Sequence, residues 1–363
     1  MWLTSCQKES LSNSSSVDGA PIYLSAITEH STDTRAPYEY TSPNDGENGV
    51  LHAAIWASSF GNDNTGYTYP NPATPLNGKN GEGDNANQVA IHATADFDSS
   101  APQLLNQAVY PKIGTTVFFV GLHPQSGWTE NADKNKANFT FDGSNDVMFA
   151  PRIMGQYATS DNNNVVINAP QLHFHHLLTW LKVRIKAEDD EVVTAWGKIT
   201  KMEISSDTKV EIDLSDKKSD ASATVSNGEF DFSKCEFSTT GRLNLYKAGS
   251  DDVLATPNNG YVMSAANSQD VVAYVLCSPV DAVDKTVVNG EDVTVPEYIL
   301  YIETENRRVE VPIDLKKNAT DYYTGNTRGK HFTLNLTFKM GNTIIVTAQA
   351  DDWEFGGTGN VEL

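Results

Sequence analysis

Four residues near the start of the chain have the types and order for lipid chemistry: Leu3-Thr4-Ser5-Cys6 is the apolar, small, small, Cys pattern of a bacterial lipobox. A cysteine so placed takes a diacylglycerol on its thiol, and its new amino terminus is acylated. Cys6 is therefore the expected lipidation site. The tract from Gln7 to Gly19 is polar and carries Ser10, Ser12, Ser14, Ser15 and Ser16, a composition that cannot build a core and suits a flexible tether. The basic and apolar regions of a signal peptide do not precede the match, so Met1 is expected to be a late start or a trimmed terminus.

Other chemistry is thin. His173, His175 and His176 form the one cluster that suggests a metal, and in a strand His173 and His175 point to the same face. No acidic or sulfur ligand stands nearby to complete a set, and no metal is expected. Cys235 and Cys277 fall in two strand-like segments, Phe230–Phe237 and Val271–Cys277, and their spacing leaves a disulfide and two buried free thiols both open. A Gly-x-Ser-x-Gly elbow, a Walker loop and a His-Glu-x-x-His motif are missing. Asp189-Asp190 and Asp351-Asp352 read as solvated charges, and Asn44-Asp45-Gly46-Glu47-Asn48 does not meet the ligand spacing of an EF-hand. Neither an enzyme nor a cofactor is expected. Trp56, Phe60, Tyr67, Tyr69 and Trp128 lie in or beside long Asn- and Gly-rich loops, where rings either stack on sugars or cover the ends of a core.

The elements that must position these residues are strands. Ile22, Leu24 and Ala26 alternate on one face, and so do Val117, Phe119 and Gly121, and Leu181, Val183 and Ile185. Further strands are expected at Val50–Ala57, Gln88–His92, Asn138–Phe141, Lys198–Ile204, Lys209–Leu214, Tyr298–Glu303, Arg308–Ile313, His331–Lys339 and Thr343–Asp351. Gly341-Asn342 makes a tight hairpin between the last two. Only Ala101–Val109 has the pattern of a short helix, so the fold class is all-β. At 363 residues the chain suggests two units, divided near Asn168–Gln171, giving a tether over 1–19 and domains over 20–170 and 171–363. The 26 basic and 47 acidic residues leave a formal charge of −21, which opposes binding to nucleic acid or to an anionic membrane. The best apolar run, Val271 to Leu276, is far short of a membrane span, so any membrane contact is through lipid.

The segment Leu172-His173-Phe174-His175-His176-Leu177-Leu178-Thr179-Trp180-Leu181-Lys182-Val183 resembles the "F-x-H-x-L-x-K-L-x-V" stretch of the fimbrillin-like proteins of Bacteroidales, the type V pilins. Phe139-Thr140-Phe141-Asp142-Gly143 with Asp146-Val147-Met148-Phe149-Ala150 is similar to that family's "F-D-G-x-x-D-x-M-x-A" region, and Thr34-Arg35-Ala36 sits where such chains carry "T-R-A". Tyr322-Tyr323 through Ile345, with Asp352-Trp353, resembles the closing pattern, His331-Phe332 replacing its usual opening. The resemblance spans nearly the whole chain.

What it implies is two transthyretin-like β-sandwich domains in tandem, export as a lipoprotein to the outer membrane and cell surface, and polymerisation with other subunits into fimbriae. In that scheme an arginine-specific protease cuts after Arg35 and removes the strand carrying Ile22, Leu24 and Ala26. A strand carrying Ile344, Val346 and Ala348 from another subunit then fills the groove. The other reading is a surface lipoprotein of the same fold that does not polymerise and binds a host glycan or protein through loops at the sandwich ends.

Overall fold

Strands dominate because β-branched and aromatic residues alternate with polar ones, and few segments keep a helical period. The computed structural model describes residues 20–28, 51–59, 90–97, 103–110, 116–130, 136–159, 165–167, 170–214, 232–266, 270–282, 296–317, 322–341 and 343–351. Cys6, Arg35, Phe60, Tyr67, Tyr69, Asp352 and the 44–48 loop lie outside them. The described residues are all-β apart from one helix and a 3-10 turn at Phe232–Lys234.

The first unit contains β1 (Ala20–Thr28), β2 (Leu51–Ser59), β3 (Ala90–Phe97), β4 (Gln103–Tyr110) and β5 (Thr116–His123). A short hairpin, β6 (Thr129–Glu130) and β7 (Lys136–Thr140), then leaves it, and β8 (Met148–Thr159), β9 (Val165–Ile167) and β10 (Gln171–His176) return. Across the sheet the order is β3-β2-β5-β8-β10-β1-β4, with β9 on β8. The ends of that path, β3 and β4, come back against each other, so one sheet curls round and supplies both layers of its own core. That core includes Ile22, Leu24, Leu51, Ile55, Phe119 and Phe174.

The second unit begins with β11 (Thr179–Ala187), α1 (Asp190–Trp196), β12 (Ile199–Asp213), β13 (Cys235–Asn244), β14 (Tyr246–Lys247), β15 (Ala273–Cys277) and β16 (Asp281–Ala282). It continues with β17 (Tyr298–Thr304), β18 (Arg308–Ile313), β19 (Leu315–Lys316), β20 (Gly325–Asn326), β21 (His331–Phe338) and β22 (Ile344–Asp351). One sheet runs β14-β15-β11-β21-β22-β19, and the other runs β18-β17-β12-β7-β6 with β13 on β12. They pack over Val183, Ile185, Ile204, Leu300, Leu334 and Leu336, and β17 alternates buried and half-buried along its whole length. The expected hairpin joins β21 to β22 with Gly341 at φ +78°, a left-handed turn position that suits glycine.

Strand pairing does not divide cleanly at 170. Before it, β7 pairs with the far half of β12, Lys209 opposite Thr140 and Asp213 opposite Lys136. After it, β10 stays in the first sheet between β8 and β1. The stretch from Phe174 to Ile185 thus holds two strands, separated at the buried Leu177-Leu178, where the chain passes from one unit to the other. Both faces of the first sheet are covered here, since Ala54, Trp56, Val120, Leu122 and Phe149 join the second core while their strand neighbours line the first.

Local expectations fail in two places. Ala101–Val109 is not a helix: Gln103–Tyr110 is β4, paired antiparallel with β1, so tertiary pairing overrides the local pattern. The helix lies elsewhere, at α1, started by the acidic pair read as solvated charge. The Asp189 carboxylate accepts from the backbone N–H of Val192 at 2.8 Å, Asp190 and Glu191 fill the first turn, and Gly197 ends the helix at φ +72°. Trp196 pins it, its indole donating to the Lys339 carbonyl at 2.8 Å and its ring meeting Phe338 edge-on.

Candidate functional site: the first strand, its groove and the joint beside it

An alternating apolar strand needs a trough of the same period, and β1 has one. Ile22, Leu24 and Ala26 are fully buried, at 0, 1 and 0% exposure. On one side β1 runs parallel to β10, from Ser25 opposite Gln171 to Thr28 opposite Phe174. On the other it runs antiparallel to β4, with a register shift between Pro21 and Tyr23, where proline removes a ladder donor. Leu172 and Phe174 of β10 share the same core. The Phe174 ring reaches it past Gly121, where any Cβ would stand 2.4 Å from Cζ. That close approach requires glycine.

The expected donor strand occupies a different place. Ala348 of β22 is buried, Ile344 and Val346 are half-buried against the second core, and Ile345 points outward at 45% exposure. β22 pairs along its length with β21, whereas on its other side, among the described residues, its ladder with β19 joins Ala348 and Gln349 to Leu315 and Lys316. Strands β1 and β22 thus lie in separate sheets and separate cores. Within one copy of the chain the structure does not bring them together.

Between the two units sits a buried histidine–aspartate pair that the sequence reading did not single out. His176 Nδ1 and an Asp146 carboxylate oxygen are in direct contact, their side chains 3 and 1% exposed. The other Asp146 oxygen accepts from the Val147 N–H at 2.8 Å. Around them the loop is tied at each end: Leu177 N donates to the Val147 carbonyl and Leu276 N to the Gly143 carbonyl, each at 2.9 Å. The Tyr274 hydroxyl donates to the Ser144 carbonyl at 3.2 Å, and Asp142 accepts from both the backbone and hydroxyl of Ser144. Burial, with the Asp142 charge beside it, pushes the Tyr246 phenol up to about 12. Asp146 and His176 fall inside two of the motifs that carry the resemblance, which was the available signal. Their contact across 30 residues was not legible.

The remaining candidates are placed as follows. His173 is half-buried and its pKa is lowered by desolvation and by His175. Among the described residues no group of three or more His, Cys, Asp or Glu is placed to hold a metal ion. Cys235 and Cys277 are buried and not joined in a disulfide, the second with its thiol pushed up to about 12 by desolvation. Trp56 and Trp128 are 3 and 8% exposed, so of the five aromatics considered for sugar stacking these two belong to the core. Among the described residues no helix is long and apolar enough to cross a membrane.

No family model matches the chain, and no curated protein does. Solved structures that align with it include fimbrial proteins and candidate cell-adhesion proteins. A fimbrial protein from Bacteroides vulgatus is 15% identical, with 91% of this chain and 99% of that one covered, at a TM-score of 0.39. A tip fimbrial protein from Porphyromonas gingivalis, with its C-terminus truncated, is 13% identical over 92% of this chain and 98% of that one, at 0.35. A candidate cell adhesion protein from Bacteroides ovatus is 10% identical over 93 and 99%, at 0.45. With such TM-scores, function has to be read from this chain's own residues.

Proposed function

We propose that the chain is a fimbrial subunit or fimbrillin-like surface lipoprotein, structural and adhesive, that assembles by exchanging its first strand. Cys6 carries the lipid, and residues 7–19 form the tether to a body of two tandem units. Cleavage after Arg35 frees β1, and Ile344, Val346 and Ala348 of another copy or another subunit take the positions of Ile22, Leu24 and Ala26. The observation that carries this reading is β1 itself. It is the first described strand and holds three fully buried side chains between two partners, so its departure leaves a row of apolar pockets and unpaired backbone groups. The donor candidate suits the role, being uncharged from Ile344 to Ala350, alternating, and paired along its length with only one strand. Its use within its own copy is disfavoured, because it belongs to the other core.

The test is treatment of the purified chain with an arginine-specific protease. The expected product begins at Ala36 and elutes as oligomers on size exclusion, and a chain ending at Gly341 does not assemble while its circular dichroism stays β-rich. Cleavage at Arg35 with no change in oligomeric state would sink strand exchange and leave a monomeric surface lipoprotein.

A further inference from the structure

The outer face of the sheet that carries β11 bears a row of cations in a chain that is strongly acidic. Leu181, Val183 and Ile185 point into the core at 0, 0 and 2% exposure, so Lys182, Arg184 and Lys186, which alternate with them, face outward. At a rise of about 3.3 Å per residue they stand about 6.6 Å apart and span about 13 Å. Beside the row, β21 runs parallel and places Asn335 opposite Arg184 and Thr337 opposite Lys186. Next, β22 adds Thr347 opposite Asn335 and Ile345 opposite Thr337, both exposed. The flank is thus uncharged across two strands, in a chain with 47 acidic residues.

The second observation is that this charge is unanswered. Among the described residues Arg184 and Lys186 make no hydrogen bond and no ion pair. Arg184 Nε is covered, which holds the guanidinium against the sheet, while its outer nitrogens stay open. Lys182 places its Nζ 4.3 Å from the centre of the Trp180 ring. Acidic residues at the ends of these strands do not serve the row. Glu188 holds Lys339 at 2.9 Å, Asp270 ahead of β15 pairs with neither Arg184 nor Lys186, and Asp351 is in register with His331, beyond Lys182. Three like charges in line repel one another, and a ligand whose own opposite charges lie in line relieves them.

We propose that this face binds a linear polysaccharide with one carboxylate on each sugar, its carboxylates along Lys182, Arg184 and Lys186 and its hydroxyls on Asn335, Thr337 and Thr347. Each feature selects against another occupant. The overall charge of −21 repels a densely charged polyanion, such as nucleic acid or an anionic membrane, so the ligand carries sparse charge. Both β11 and β21 are hydrogen-bonded on each side, so the face has no backbone edge on which an extended acidic peptide could add as a strand. A neutral sugar would leave the cations unanswered. The amide and hydroxyls beside the row donate and accept, as sugar hydroxyls do. The cations belong to β11, so the site stands or falls separately from strand exchange.

The test is calorimetric titration of the full chain with four probes: hexamers of galacturonate and of mannuronate, the galacturonate hexamer with every carboxyl methyl-esterified, and hexaglutamate. At least one uronate hexamer should bind at about 20 mM salt and more weakly at about 200 mM. The esterified hexamer and hexaglutamate should each bind at least about tenfold more weakly. Arg184→Gln should weaken uronate binding about fivefold and Lys186→Gln about threefold, and both should melt with the parent because neither side chain has a partner in the fold. Lys209→Gln, on β12 in the other sheet, should bind as the parent does. Absence of binding by both uronates, esterified hexamer bound as well as the acid, or unchanged binding by Arg184→Gln and Lys186→Gln would each overturn the site. Hexaglutamate bound as tightly as the uronates would overturn the polysaccharide in favour of an acidic peptide.

Discussion

Removing β1 should leave a protein that can be repaired in trans, and the strength of the repair follows from what β1 buries. Ile22 and Leu24 are at 0 and 1% exposure. At about 1.5–3 kcal/mol for each fully buried aliphatic side chain, plus about 0.8 for the Ala26 methyl, their apolar contribution is about 4–7 kcal/mol. The backbone adds to this, with four residues in register with β10 and four with β4. At about 0.5–1.5 kcal/mol net per hydrogen bond, the ladder supplies several kcal/mol more, for a gross figure of about 10 or somewhat above. Association of a free peptide costs at least about 4 kcal/mol, and ordering its side chains costs more. The net is about 5–6 kcal/mol, which corresponds to a dissociation constant on the order of 0.1 mM. A chain starting at Ala36 should therefore melt well below the parent and recover on addition of a peptide spanning Ala20–Thr28 at about 0.1 mM. A peptide spanning Ile344–Asp351 should recover it too if it is the donor. A truncated chain that melts like the parent would refute the claim that β1 completes the first core. Recovery with the first peptide but not the second would leave the groove in place and remove β22 as its donor.

Three other perturbations test separate parts. Asp146→Ala removes the carboxylate that accepts from the buried Val147 N–H and touches His176, and should cost about 1–3 kcal/mol by urea unfolding; Asp146→Asn should recover part of it, and a loss below about 1 kcal/mol would show that the pair does not hold the joint. Gly127→Ala should cost at least about 1–2 kcal/mol for its left-handed backbone and shift Trp128 fluorescence as the Phe139 ring moves, whereas a neutral, spectrally silent change would refute the stacked-turn geometry. The Cys277 thiol is raised from 9.0 to about 12 by burial, so the unfolded chain loses that proton first and stability falls between about pH 9 and 12 as pH rises. The slope is at most about 1.4 kcal/mol per pH unit from this group; Cys277→Ala should be less sensitive between pH 9 and 10, and equal sensitivity in both proteins would exclude the thiol.

Much of the strand content was legible because burial on one face writes period two into a sequence. Leu181, Val183 and Ile185 in β11 and the alternation of β17 are plain cases. What was hidden depends on contacts between units. In β2, Ala53, Ile55 and Ala57 face one core while Ala54 and Trp56 face the other, so the strand is apolar on both sides and its alternation is blurred. The same double burial takes Trp56 out of the set of exposed rings. The α1 helix was masked differently, since Val192, Val193 and Thr194 are β-branched and the deciding signals are the caps at Asp189 and Gly197. The long β12 read as two strands because Ser205 to Thr208 interrupt its apolar pattern, although the ladder with β13 runs through them.

The site divides the same way. Ile22, Leu24 and Ala26 were readable as one face, because a strand in a trough shows its period whatever its neighbours are. Asn138 was not readable, because its meaning comes from position across the fold. In sequence it is one polar residue alternating with Ala137 and Phe139, and a strand pattern predicts that it faces solvent. The turn carrying Gly127 and Trp128, packed on Phe139, removes that exposure, while Lys209 arrives beside it from the paired strand. A residue that local pattern makes a surface asparagine thus becomes a buried acceptor. Conflict between a local rule and the tertiary environment costs stability, and Asn138→Leu measures it directly: a melting temperature at or above that of the parent is the result that an unpaired buried acceptor requires, whereas a loss of more than about 1 kcal/mol would show that the amide is satisfied.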